Sequence, residues 1–133
     1  MANAIYPLYK EALITGSTNI SLSAGTVKIA LVDTAVYTYS AAHQFLTSLT
    51  GTVGTAPTLG TKTVTNGVFD AADPTWTAVT GASAEALVVY IDTGTAGTSR
   101  LVAYIDTGIT NLPVTPNGGD ITLAINASGL FAL

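Results

Sequence analysis

The spacing of apolar residues changes once along the chain. From Tyr6 to Gly16 it is helical: Tyr6, Tyr9 and Leu13 share one face, Pro7 suits the first helical position and Gly16 the C′ position. This predicts a short helix within residues 1–16. Beyond it the pattern is β. Thr26–Asp33 (TVKIALVD) is apolar and β-branched, as a buried strand should be. Val36–Tyr39 continues the sheet or passes over it, and Ser40 is placed to cap a helical turn through AAHQFLTSL. Residues 50–60 (TGTVGTAPTLG) have no usable period and predict a loop.

Thr61–Thr65 alternates, Asn66-Gly67 is a strong two-residue turn signal, and Val68–Asp70 returns, which predicts a hairpin. Trp76 anchors a further strand. The clearest unit is Glu85–Asp92 (EALVVYID) followed by Arg100–Asp106 (RLVAYID). Folding it about Ala96 sets Asp92 opposite Arg100, Tyr90 opposite Val102 and Val88 opposite Tyr104, with Leu87–Ile105 and Ile91–Leu101 on the other face. Both faces are then apolar, so the hairpin belongs inside a layered fold. Asn111–Gly119 is a turn region, Asp120–Asn126 (DITLAIN) a strand, and Leu130–Leu133 a closing segment. The expectation is one all-β domain over residues 1–133, a β-sandwich or jelly roll of about eight short strands. Residues 1–16 form its N-terminal arm and helix.

Charge is scarce. The chain has 133 residues, with four Lys or Arg, eight Asp or Glu and a net charge of −4. Charged residues are 9% of the whole, against about 25% in an average domain. Spread over the roughly 6,500 Å² that a compact monomer of this mass exposes, that is about one charge per 540 Å². Twenty-three threonines, with many alanines and glycines, fill the remainder. Such a surface repels its neighbours weakly and suits a protein packed against copies of itself or a larger assembly. Four scattered bases argue against a nucleic-acid partner, which needs a clustered basic face.

The mean hydropathy is +0.50, yet the longest apolar run, Ala86–Ile91, is too short to span a bilayer. The opening residues lack the basic and apolar regions of a secretory signal, so no membrane partner is expected. The sequons at Asn19 and Asn126 read as chance without one. There is no cysteine, which excludes disulfides, thiol nucleophiles and zinc ribbons.

One motif resembles catalytic chemistry. Tyr-Ile-Asp-Thr-Gly occurs at Tyr90–Gly94 and again at Tyr104–Gly108, and Asp-Thr-Gly is the aspartic-protease signature. The predicted hairpin separates the two aspartates by about six residues along a strand, roughly 20 Å, whereas a dyad needs carboxylates about 3 Å apart. Asp-Thr-Gly is expected to end a strand and turn it. His43 is the sole histidine, so no histidine metal cluster is possible. Asp70 and Asp73 lack the further oxygen ligands a calcium site needs, and Thr93–Ser99 lacks the lysine of a phosphate loop. No catalytic, cofactor-binding or metal-binding residue is expected, and no enzymatic activity.

Several stretches resemble small virion structural proteins of tailed bacteriophages, including those of cyanophages. They are YPLYKEALITG, TVKIALVDTAVYTYSAAHQFL, KTVTNGVFDAAD and AEALVVYIDTGTAGTSRLVAYIDT, with NLPVTPNGGDITL following. The resemblance implies a capsid cement (decoration) protein on the outside of the virion shell, made in the host cytoplasm and stabilising contacts between capsomers. It implies the major capsid protein and further copies of the chain, as a homotrimer, for partners. The other readings are a tail, neck or fibre-base component, and a host-surface binding module with exposed tyrosines. Met1–Ile14 and Thr50–Gly60, outside the regular strands, are the expected contact elements.

Overall fold

The computed structural model describes residues 3–133. In chain order the elements are β1 (Ala4–Ile5), α1 (Pro7–Thr15), β2 (Thr26–Val32), β3 (Thr52–Val53), β4 (Thr63–Thr65), β5 (Val68–Asp70), β6 (Thr75–Trp76), β7 (Ala86–Asp92), β8 (Arg100–Ile105), β9 (Ile121–Thr122) and β10 (Phe131–Ala132). The fold is mostly β with one α-helix, and the named strand pairs are antiparallel. One sheet has the order β1-β8-β7-β2-β3, a second β10-β5-β4, and β6 pairs with β9.

The five-stranded sheet is organised around the long apolar runs. All six residues of β8 and the first six of β7 are buried, which requires cover on both faces. Ile29, Leu31, Leu87 and Leu101 are fully enclosed in a single apolar cluster. Each such side chain contributes about 1.5–3 kcal/mol relative to exposure. Trp76 and Phe69, from the two smaller sheets, join the same cluster.

Both edges of this sheet are covered by short pieces of chain, which blunts unwanted pairing. On β8, the Tyr6 N–H donates to the Val102 carbonyl at 2.9 Å, beyond the Ala4–Tyr104 and Ile5–Ala103 pairs. Further along, the Leu101 N–H donates to Gln44 and the Leu46 N–H to Ser99. On β2, β3 takes one end, while Leu59 and Pro57 bond to Val27 and Ile29 at the other.

Three expectations change in detail. The helical turn through AAHQFLTSL breaks into a Ser40–His43 turn, where Ser40 Oγ accepts from the Ala42 N–H, and a 3₁₀ turn at Leu46–Ser48, because Gln44 and Phe45 lie along β8. Residues 50–60 are not a free loop: they form the β2 edge, and Val53 and Leu59 are buried. The β7–β8 register holds at Leu87–Ile105 and Val88–Tyr104, then shifts by one between Val89 and Tyr90, so that Tyr90 faces Leu101 and Ile91 faces Arg100. A β-bulge, invisible to a count about Ala96, produces the shift.

The helix forms as its pattern requires. Gly16 closes it in the left-handed conformation, φ 67°, and Tyr9 and Ala12 are its buried residues. The Asn66-Gly67 turn has positive φ at both positions, 52° and 79°, the geometry a two-residue hairpin favours. The Asp120–Asn126 strand shortens to β9, after which the Leu123 N–H bonds to Pro74.

Candidate functional site

The two Asp-Thr-Gly motifs lie at opposite ends of the β7–β8 hairpin. Asp92 ends β7 beside the connecting loop, and Asp106 follows β8 at the far end. Asp92 is engaged locally: it accepts from the Gly94 N–H at 3.1 Å and pairs with Lys28 Nζ at 3.3 Å. The Gly94 hydrogen bond, reinforced by Lys28 and Ser99, holds its carboxyl below the usual carboxylate range against an opposing desolvation effect. The loop is laced by hydroxyls, with Thr93 Oγ1 at 2.6 Å from Thr98 Oγ1 and the Thr93 N–H donating to Ser99 Oγ. At the other end, the Asp106 and Thr107 N–H groups donate to Asn3 Oδ1.

The same use of carboxylates recurs. Asp33 accepts from the Ala35 N–H, Asp70 from Ala71, Asp73 from Ile125, Asp120 from Ala78 and Glu85 from Thr34, each within 2.8–2.9 Å. With Asp92, six of the eight acids therefore tie down a backbone N–H in a turn or between segments. Asp70 and Asp73 each serve a different piece of backbone. Among the described residues, no group of three or more acids and histidine is placed to hold a metal ion.

The densest polar arrangement is aromatic. Tyr6 Oη lies 2.8 Å from Tyr37 Oη, which lies 2.7 Å from His43 Nδ1. Tyr39 packs against Tyr6 and Tyr104, with ring centroids 5.1 and 5.4 Å away. Tyr6 is fully buried and its hydroxyl is partnered by that of Tyr37, so a continuous hydrogen-bonded chain links Tyr6, Tyr37 and His43. Burial raises the Tyr6, Tyr37 and Tyr104 hydroxyls above the ordinary phenol range, which keeps them neutral. These groups are suited to holding the 34–46 segment against the sheet. Tyr90 and Tyr104 are buried, 7% and 3% exposed, as the hairpin pattern requires.

Two connections have no local sequence signal. Arg100 is 8% exposed, donates from Nε to the Thr18 carbonyl at 2.8 Å, and places its guanidinium 5.2 Å from the centre of the Phe45 ring. Glu85 Oε1 accepts from both the N–H and the hydroxyl of Thr34. Each joins segments more than 50 residues apart, beyond the reach of any spacing rule.

The surface depressions are shallow in chemistry. One of about 510 Å³ is lined by Asn19, Ser21, Gly25 and Asp92, whose carboxylate already serves Lys28 and the turn. Another of about 250 Å³ lies between β1, β8 and β10 and is lined mainly by apolar residues. Of the two expected contact elements, Met1 and Ala2 lie outside the described residues. Asn3–Ile14 is packed into the fold through β1, Tyr6 and Tyr9, with Ile14 projecting outward at 85% exposure. In residues 50–60 the side chains of Thr50, Thr52, Thr55 and Thr58 face outward. No helix among the described residues is long and apolar enough to cross a membrane.

Comparison of the sequence with protein-family profiles and with curated proteins returns no match.

Proposed function

We propose that the chain is a non-catalytic structural protein of a tailed-bacteriophage virion, a cement protein that binds the outer face of the capsid shell. The observation that carries this reading is the destination of its charge. Six of eight carboxylates each accept from the chain's own backbone, and the few charges stand among exposed threonines, alanines and glycines. Such a surface is built to lie against protein over many modest patches, and repetition around a shell multiplies weak contacts into a stable coat. The sequence resemblance to phage virion proteins points the same way.

In this reading the sheets stack as a β-sandwich of the jelly-roll class, with the doubly covered β7–β8 hairpin in its interior. The partners are the major capsid protein and two further copies of the chain. The outward threonines of residues 50–60 and the exposed part of Asn3–Ile14 supply the contacts.

Purified chain added to capsids that lack it tests the proposal. Saturable binding at a ratio fixed by the lattice is the expected result. Binding to isolated tails but not to capsids contradicts it.

A further inference from the structure

We propose that β4 is a self-association edge, where two copies of the chain join strand to strand about a two-fold axis through Val64. The inference goes beyond the capsid reading: it concerns the isolated chain, and its two-fold contact on β4 lies apart from residues 50–60 and 3–14, which that reading assigns to the trimer and shell.

Hairpin geometry shows which backbone groups are available. In a two-residue hairpin the residues flanking the turn exchange hydrogen bonds, and the exchange recurs at every second pair. Here the exchanging pairs are Thr65–Val68 and Thr63–Asp70, with Val64–Phe69 between them. The Val64 N–H and C=O therefore point away from β5. The same alternation sends the Phe69 carbonyl out of the opposite side, where it accepts from the Leu130 N–H at 2.7 Å. The three-stranded sheet ends at β4, so the outward groups of Val64 meet no further strand among the described residues.

Side chains mark the same edge. Phe131, Phe69 and Val64 are in register across the three strands and lie on one face. Phe69 is 1% exposed and stacks on Phe131 with ring centroids 5.3 Å apart. The apolar row then ends in the open at Val64, 53% exposed. Thr63, Val64 and Thr65 contain neither charge nor proline, the usual guards of an edge. Lys62, the charge next to β4 along the chain, is drawn back to the Gly25 carbonyl, and Asp70 across the hairpin accepts from the Ala71 N–H. β4 has three residues, whereas β1, β3 and β10 have two each.

A second copy is the occupant this edge fits. Antiparallel pairing about Val64 sets Val64 opposite Val64, Thr63 opposite Thr65 and Lys62 opposite Asn66. No like charges meet, β-branched residues face one another, and the two Val64 residues exchange a pair of N–H···O bonds. The contact is isologous and closed. The row Phe131-Phe69-Val64 continues into its symmetry mate, within one six-stranded sheet.

Sedimentation equilibrium of the purified chain, with two variants, tests this. Wild type should form a species of twice the 13.4 kDa chain mass. Val64→Pro removes only the outward N–H, leaving the β4–β5 bonds intact, and should weaken association by about tenfold or more with an unchanged far-UV spectrum. Val64→Cys supplies the chain's sole thiol. Paired residues of this kind have Cα atoms about 5.5 Å apart, within disulfide range, so it should oxidise to a covalent dimer about tenfold faster than Thr95→Cys in the exposed 93–98 loop. A wild type that stays monomeric overturns the proposal, as does an assembly of any size that a folded Val64→Pro leaves intact. If Val64→Pro does not fold, the cysteine rates decide: oxidation no faster than that of Thr95→Cys overturns it.

Discussion

The Tyr37 hydroxyl stands 2.8 Å from that of Tyr6, joining the residue that opens the helix to the segment lying over the sheet. The two removals should be unequal. Tyr37→Phe leaves the fully buried Tyr6 hydroxyl without its partner and should cost about 1–3 kcal/mol in urea unfolding. Tyr6→Phe leaves Tyr37 still bonded to His43 and should cost about 1 kcal/mol. The double variant should be less destabilised than the two singles added, a coupling that a double-mutant cycle reads directly.

Asp92 gives an acid-side prediction. Its folded pKa is lowered, first by the Gly94 N–H and then by Lys28 and Ser99, so the carboxylate stabilises the fold above its unfolded pKa of about 3.9. That contribution is lost as pH falls through the lower folded value. Asp92→Asn should therefore lower the thermal midpoint at pH 7, with the difference from wild type closing below about pH 4. A difference that stays constant across this range would contradict the assigned cause.

On the alkaline side the sign reverses. Burial raises the hydroxyls of Tyr6, Tyr9, Tyr37, Tyr90 and Tyr104, with Tyr9 pushed up to about 12. Their neutral forms favour the folded state below about pH 10, the unfolded tyrosine value, and this stability is lost as pH rises through the folded values. Phenolate absorbance should rise in a step that coincides with loss of the far-UV signal. Smooth ionisation of all the tyrosines near pH 10, with the fold retained, would contradict the burial.

Arg100 should resist conservative replacement. Lysine offers neither the Nε donor aimed at Thr18 nor a flat group to lie over Phe45. Arg100→Lys should destabilise by about 1–2 kcal/mol, and Phe45→Leu should recover part of that difference in a double-mutant cycle.

The long-period features were readable in the sequence. The helix with Pro7 and Gly16, the strand of Thr26–Asp33, the Asn66-Gly67 hairpin and the two apolar faces of the β7–β8 pair all follow from local patterning. What escaped was settled by distant backbone. Gln44–Leu46 gave up its helical turn to β8, residues 50–60 joined β2, and the bulge after Val89 moved Arg100 from Asp92 to Ile91. Asp92 then turned to Lys28 on the neighbouring strand. The Tyr6–Tyr37–His43 chain was equally hidden, because Tyr6 reads as part of a helix face, Tyr37 as a sheet-side residue and His43 as part of a helical turn, with no spacing that joins them.

The most direct test of the capsid reading is the copy number of this chain in purified particles of the virus that encodes it, measured by quantitative mass spectrometry against the major capsid protein. The account predicts a ratio near one, or another simple fraction set by the lattice. A handful of copies per particle, or none, would contradict it.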